Sequence, residues 1–533
     1  MMSMKKKTSG KIQKTKRKMK VSLLFPALDS PSLTNPLGIV FIGTYLKKNG
    51  VDVRLMDLQF SKSFEDWKDH LEEYKPDIVG ITVLTLIANF AHKAAKMAKE
   101  FNPNIVVVAG GPHACAMPLD MTHDKNIDII VVGEGEKTML ELVRALEAGK
   151  DLADVKGIIY RDNGKLKTTE PRPYIENLDE LGIPDRDLLP TYPKYLKFPT
   201  PFPYIMPHTY VIGSRGCFGN CSFCQPMLRK IFGPRVRYRS PKMLVDEMEH
   251  LVDKYNAKSI YFADDTFTAN KAWVTEFCEE LIRRGLHKRM VWLGQTRVNV
   301  LTKELAQLLK RSGCIFLAFG VESGNPHVLN EVYLKGITPE QVRKAFKICD
   351  EVGLLTESAL IIGCHDETRE SVMDTIKLVE DINPDIADIH YLTPTPGSRL
   401  FEDYSEKGYL KYKSTDDPDR YTPGLVKLKY LTKDELISLR NELDRAWHRR
   451  KRIWKMKWIG VKHAWSVFRV TGSLYEGIYA LLRHLMHSDW RIYRIARYVG
   501  DYQKRLRVMR HRQVSQQAMS EKYRWVREGS DAQ

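Results

Sequence analysis

Short apolar segments alternate with amphipathic ones in two long runs separated by a proline-rich stretch, and this restricts the chain to a parallel α/β architecture, built twice. In the first run, Val21–Phe25, Val51–Leu55, Asp77–Val83, Ile105–Ala109 and Ile127–Val132 read as buried strands. Helices at Leu37–Asn49, Ala88–Phe101 and Lys137–Ala148 fall between and after them. The pattern predicts a doubly wound sheet over residues 19–150, with ligands at the carboxyl ends of its strands. In the second run, residues 201–400, strands are expected at Thr209–Gly213, Ser259–Ala263, Met290–Gln295, Ile315–Val321, Glu357–Ile362 and Ile386–Leu392. Six such units fall short of the eight that close a barrel and predict a partial, TIM-type (β/α)6 one. Between the runs, residues 151–200 carry a short Ile158–Tyr160 strand, the turn Asp162-Asn163-Gly164 and then Pro171, Pro173, Pro184, Pro190 and Pro193, and read as a linker.

The formal net charge of +18 is concentrated at the two ends. Residues 1–18 are basic, polar and expected to be disordered. Residues 401–533 read as a C-terminal basic helical region. Between Arg449 and Arg512, Lys and Arg far outnumber the acids Glu476, Asp489 and Asp501 and are interleaved with Trp and Tyr. Those aromatics suit helix packing, leaving a basic face toward a substrate or an anionic membrane surface. No nucleic-acid-binding motif accompanies the charge, so no nucleic acid is expected. No run approaches the ~18 apolar residues of a membrane span, and no signal-peptide pattern opens the chain. A cytoplasmic location is expected, with peripheral membrane contact through the C-terminal helices.

Of eight cysteines, Cys115, Cys278, Cys314, Cys349 and Cys364 stand singly in apolar or helical surroundings and read as buried structural thiols. Cys217, Cys221 and Cys224 differ: they form C-F-G-N-C-S-F-C directly after an apolar run. Thiolates are soft ligands for iron–sulfur clusters or zinc. A structural zinc site wants four ligands, and no fourth Cys or His stands nearby. Three ligands on a cubane leave one iron open, and Gly216 and Gly219 let the loop curl around it.

This C-x-x-x-C-x-x-C after the first barrel strand, with aromatic Phe223 before the last cysteine, resembles the radical S-adenosylmethionine superfamily. The resemblance implies a 4Fe–4S cluster on Cys217, Cys221 and Cys224 that binds S-adenosylmethionine through its open iron. Asp264 and Asp265, at the end of the second strand, then fall where the family contacts the amino group, although they replace its common glycine-rich form. Arg297 would pair with the methionine carboxylate, Glu322 would hold the ribose or methionine, and Leu360–Gly363 would flank the adenine.

In the first domain, Ala109-Gly110-Gly111-Pro112-His113-Ala114 and Val132-Gly133-Glu134-Gly135-Glu136 are glycine turns following strands, so both lie at the ligand edge. No G-x-G-x-x-G follows the first strand, which argues against a dinucleotide. With the barrel motif, these turns resemble the cobalamin-binding domain of cobalamin-dependent radical S-adenosylmethionine enzymes. The resemblance spans about residues 20–400. It implies a Rossmann-like cobalamin-binding domain, then the partial radical barrel, then the C-terminal helical region. Gly110, Gly111, Gly133 and Glu134 would meet the corrin and its nucleotide tail, and Leu84 and Thr85 would lie beneath the ring or along the tail. The D-x-H-x-x-G loop of other cobalamin domains is absent, so cobalt would carry no protein histidine. His113 reads as a turn-stabilising side chain rather than a ligand.

The function implied by the family is C-methylation at an unactivated sp3 carbon through a deoxyadenosyl radical and methylcobalamin. An electron donor such as ferredoxin or flavodoxin and an anaerobic setting would accompany it. The substrate would be a small molecule, a lipid, a tetrapyrrole or a protein side chain. A second reading is oxidative cyclisation or carbon–carbon bond formation, because Arg237–Pro241 and Phe277–Leu286 look like the anaerobic magnesium-protoporphyrin ester cyclases. A third is a non-catalytic cobalamin sensor or scaffold, which would have no need of an open cluster.

Overall fold

The computed structural model describes residues 18–28, 35–197, 205–224, 231–411, 423–448 and 464–472, with 474, 477 and 478. Residues 1–448 form one compact unit and 449–533 another. Of the second unit, a helical stretch at 464–471 is described. The basic tail 1–17 and most of the aromatic, basic stretch from Arg449 to Arg512 lie outside the described residues.

The first sheet contains β1 (Lys20–Phe25), β2 (Asp52–Asp57), β3 (Ile78–Thr82), β4 (Val106–Gly110) and β5 (Ile129–Val131), parallel and in the order β2-β1-β3-β4-β5. Helices cover both faces, which is why the inner strands β1, β3, β4 and β5 are apolar runs, while β2 at the edge alternates, with Asp52 and Arg54 exposed. Leu23 and Phe25 face a layer with α1 (Leu37–Lys48) and α4 (Gly135–Ala148), while Leu24 faces α2 (Glu65–Tyr74) and α3 (Ala88–Phe101). The small buried side chains Ala91, Ala94, Ala95 and Ala98 bring α3 close to the sheet. Helix α2 has no counterpart in the sequence reading.

Part of the stretch read as a linker belongs to this sheet. Strands β6 (Ile158–Asp162) and β7 (Lys165–Thr168) add antiparallel beyond β5. Asn163 (φ 49°) and Gly164 (φ 81°) both sit in the left-handed region, the geometry that lets a two-residue turn match strand twist. Residues 175–196 then bind the two halves together. Tyr195 Oη donates to Asp57 at 2.6 Å, while Arg186 reaches Glu247 in the barrel at 2.6 Å.

The second sheet runs β8 (His208–Val211), β11 (Ser259–Phe262), β12 (Val291–Thr296), β13 (Cys314–Glu322), β14 (Leu355–Ile362) and β15 (Ile386–Tyr391), all parallel and neighbours in that order. Strands β8 and β15 do not pair, so the barrel is open. Between β8 and β11 a two-stranded antiparallel ribbon, β9 (Ser214–Arg215) and β10 (Arg237–Tyr238), brackets the cysteine loop. The helices outside are α5 (Pro241–Tyr255), α6 (Lys271–Arg283), α7 (Lys303–Arg311), α8 (Pro339–Val352) and α9 (Arg369–Ile382), with α10 (Lys433–Trp447) packed on α9. Their starts are capped by side chains: Ser240 caps α5, and Thr338 with Gln341 forms a capping box on α8. Cys115, Cys278, Cys314, Cys349 and Cys364 are all buried.

Candidate active site

In the order β2-β1-β3-β4-β5 the winding direction changes between β1 and β3, and a crevice opens at their carboxyl ends. A cavity of about 570 Å³ lies there. Its sheet side includes Phe25, Thr82, Leu84, Gly110, Gly111 and Gly133, and its barrel side Tyr210, Ile212, Arg215 and Ala263. Gly111 (φ 93°) tolerates no side chain, since a Cβ would stand 2.9 Å from Thr82 Oγ1 and 3.2 Å from the Val83 nitrogen. Gly133 (φ 97°) faces open space instead. Both amide atoms of Asn35, on the cavity wall, are buried and have no partner among the described residues. Mostly apolar walls, glycine turns and one unsatisfied amide fit a large cofactor with a few polar groups, as the implied cobalamin is.

Leu84 lines this cavity but Thr85 is not among its lining residues; Thr85 Oγ1 lies 3.2 Å from His113 Nδ1. His113 is fully buried, and its Nε2 lies 3.0 Å from Asp120, whose carboxyl that hydrogen bond holds below the usual range. Both ring nitrogens are engaged, so His113 fastens one glycine turn to the next helix.

Glu134 lines the cavity, and its carboxylate is fully engaged. It takes Arg215 at 2.8 Å, Arg237 at 2.9 Å and the Ile175 amide at 2.8 Å. Glu136 takes the other arm of Arg215 at 2.5 Å. Sequence reasoning did not single out Arg215 and named Arg237 only within the cyclase-like segment; partners 79 to 103 residues away leave no local pattern.

The cysteine loop runs from Gly216 to Cys224. The Gly219 amide donates to Cys217 Sγ at 3.4 Å, and Arg297 Nη1 lies 3.7 Å from Cys221 Sγ. The loop is tied down by Ser222, whose amide donates to the Tyr333 carbonyl at 2.9 Å. Phe223 packs edge-on to Tyr333 at 5.0 Å, with the Lys335 ammonium 5.7 Å from its ring. No three His, Cys, Asp or Glu among the described residues converge at single-ion spacing. Three soft donors around a curled loop, with two cations beside them, suit a multi-iron cluster whose thiolate charge is offset. Burial pushes the Cys224 thiol up to about 12, so cluster assembly must expel a proton there.

The other expected contacts sit around this loop. Asp264 is buried and accepts from the Gly213 amide at 2.8 Å and Ser214 Oγ at 2.5 Å, so it orients the strand entering the loop. Burial raises its carboxyl to about 6. Asp265 is exposed just past the end of β11, and partial desolvation followed by the neighbouring Asp264 charge raises its carboxyl. Arg297 also donates to the Lys335 carbonyl and covers the Phe218 ring at 5.3 Å, which turns it toward the cysteines. Glu322 adopts a left-handed backbone (φ 66°) at a register shift between β13 and β14. Such strain costs about 1–3 kcal/mol and marks functional turns. Its carboxylate meets Lys335 at 2.7 Å, a partner the sequence reading did not name.

Gly363 (φ 99°) ends β14, and its amide and that of Cys364 both donate to Glu367. Glu367 is fully buried, and burial raises its carboxyl to about 7 from 4.5. The folded state therefore binds a proton that the unfolded state releases. Its contribution to stability is full below about pH 4.5 and is lost as pH rises through about 7. The slope is at most about 1.4 kcal/mol per pH unit. Urea titrations at pH 5, 6, 7 and 8 are expected to show this decline flattened in Glu367→Gln.

The B12 binding domain family model matches residues 27–143, and the radical SAM superfamily model matches residues 211–379. An uncharacterised methyltransferase of Pyrococcus horikoshii is 37% identical over 435 residues, covering 79% of this chain and 90% of that protein. The chain belongs to the B12-binding radical SAM enzymes. Cobalamin, a 4Fe–4S cluster and S-adenosylmethionine are the cofactors of this enzyme family. The anaerobic magnesium-protoporphyrin IX monomethyl ester cyclase of Rubrivivax gelatinosus is 36% identical to this radical SAM enzyme, covering 70% of this chain and 66% of that protein. The methyltransferase TsrM from Kitasatospora setae, solved with cobalamin and its cluster, superposes with a TM-score of 0.66 at 19% identity. That match covers 81% of this chain and 89% of TsrM and speaks for the fold alone. No helix among the described residues is long and apolar enough to cross a membrane.

Proposed function

We propose that this radical SAM enzyme is a C-methyltransferase acting on an unactivated sp3 carbon. One observation carries the reading: Arg215 lines the cavity of the cobalamin domain and stands two residues before Cys217, so the two cofactor sites share a wall. When bound, cobalamin supplies a transferable methyl group, and S-adenosylmethionine on the cluster supplies the radical that removes a hydrogen atom. Cys217, Cys221 and Cys224 would hold the cluster, with Arg297 and Lys335 offsetting its charge. Glu322 and Gly363 would position the nucleoside, and Asp264 keeps the cysteine loop aligned. Gly110, Gly111, Gly133 and Leu84 would cradle the corrin and its tail. The methyltransferase relative, matched over nine-tenths of its length, supports methyl transfer over other uses of these cofactors.

The cyclase relative favours a second reading, oxidative ring closure on the same cofactors, although this chain spans 66% of that protein. A low-potential ferredoxin or flavodoxin would supply electrons in either case. The acceptor is a small molecule, lipid, tetrapyrrole or protein side chain. Anaerobic assay of cobalamin-loaded, cluster-reconstituted protein with reductant and S-adenosylmethionine separates the readings. The expected result is deoxyadenosine and S-adenosylhomocysteine together, with Cys221→Ala forming neither. Deoxyadenosine alone would move the assignment to the cyclase class. Neither nucleoside from cluster-loaded protein would overturn both.

A further inference from the structure

A buried group of four charges joins the glycine turn of the cobalamin domain to the ribbon that carries the cysteine loop. Arg215 and Arg237 are register partners across β9 and β10. Arg215 reaches Glu134 at 2.8 Å and Glu136 at 2.5 Å, and Arg237 reaches Glu134 at 2.9 Å. All four side chains are at most 9% exposed. Two cations balance two anions, and the Arg215 guanidinium also lies between the Phe41 and Phe232 rings, at 5.4 and 5.6 Å. Gripped by both carboxylates and flanked by two rings, Arg215 is tied to the turn carrying Glu134 and Glu136.

That turn is also a wall of the cavity. Gly133, Glu134, Gly135 and Glu136 all line it, and Gly133 leaves open space on the cavity side. Arg215, at the other end of the ion pairs, is separated from Cys217 by Gly216 alone. A cofactor packed against Gly133 therefore restrains the turn, through it Arg215, and through that the first thiolate ligand. The converse holds by linkage: whatever orders the cysteine loop must favour the cofactor-holding form of the turn by the same free energy.

We propose that Arg215 is a positioning residue that couples the two cofactor sites, so that the cluster and cobalamin bind cooperatively. The inference rests on both groups binding and is independent of methyl transfer, because its test needs no turnover. Hydroxocobalamin is titrated anaerobically into the full chain, following corrin absorbance, in two forms. One carries the reconstituted cluster; the other bears Cys217→Ala, Cys221→Ala and Cys224→Ala and cannot hold it. The same pair is measured with Arg215→Gln. In the parent pair the cluster is expected to tighten cobalamin binding about 5-fold or more. In the Arg215→Gln pair that ratio falls to about one, while iron content and the electron paramagnetic resonance of the reduced cluster persist. A merely structural arginine would weaken both affinities and leave the ratio unchanged, and that outcome overturns the proposal. So does a parent ratio of one. Should Arg215→Gln fail to fold or to hold iron, Glu136→Gln removes one carboxylate and leaves Glu134 in place. It must lower the ratio in the same direction, and an unchanged ratio there overturns the proposal equally.

Discussion

Glu247→Ala is expected to destabilise the compact unit of residues 1–448 by about 3–5 kcal/mol, because it leaves two arginines buried without their counter-charge. Glu247 stands on α5 and is fully buried; it takes Arg186 at 2.6 Å on one oxygen and Arg239 on the other. Burial alone would raise its carboxyl, yet the guanidiniums of Arg239 and Arg186 hold it below the usual range. Arg186 is 1% and Arg239 2% exposed, so water cannot replace the lost carboxylate. Each arginine already has at least one buried nitrogen with no partner among the described residues. The position matters as much as the charge, since Arg186 belongs to the segment that ties the first sheet to the barrel. Urea unfolding followed by circular dichroism checks the magnitude. Lys242→Ala, which removes an exposed pair with Asp246, should shift stability by no more than about 0.5 kcal/mol. A Glu247→Ala protein within about 1 kcal/mol of the parent would show that the triad contributes little.

Most strands were readable as short apolar runs, buried on both faces in the middle of the sheets; β2 and β15, at sheet edges, expose part of their length. The parallel arrangement of the strands followed from their alternation with helices. Helix α2 was not readable: Trp67, Leu71 and Tyr74 are its only buried residues, set among acids and lysines that resemble a loop. The hairpin of β6 and β7 announced its turn through Asp162-Asn163-Gly164, but nothing local says that it extends a parallel sheet. Within the site, the three cysteines and the glycine turns were visible because chemistry fixes their spacing. What their neighbours do was not. Glu134, read as facing the cofactor, binds two barrel arginines, and Asp264 holds the backbone of Gly213 and Ser214. Lys335 reaches Glu322 through a bend in the chain between them. Such pairings depend on how separate elements meet, and a periodicity carries no record of that.

Gly216→Ala is expected to reduce iron and sulfide per chain to a small fraction of the parent's. Gly216 has φ 95°, in a region that costs a side-chain-bearing residue about 1–2 kcal/mol. A Cβ there would also stand 2.7 Å from the Arg235 carbonyl oxygen, a backbone atom. Neither side of the clash can yield cheaply. Arg235 lies two residues before Arg237, which Glu134 holds, and on the other side Arg215 is fixed by Glu134 and Glu136. The strain must therefore pass to Cys217, and a cluster with three protein ligands loses one of them. Gly219→Ala makes the comparison quantitative. Its nearest contacts would be the end of the Arg297 side chain at 2.9 Å and Cys217 Sγ at 3.4 Å, so a small shift relieves it. Partial iron retention is expected there. Gly164→Ala is the control for backbone strain alone: φ is 81°, but the space around it is open and the hairpin is far in sequence from the cysteines. It should lose about 1 kcal/mol of stability and no iron. Full iron content in Gly216→Ala would mean that the ribbon moves freely around the loop, and the rigid connection between the ion pairs and Cys217 would fall with it.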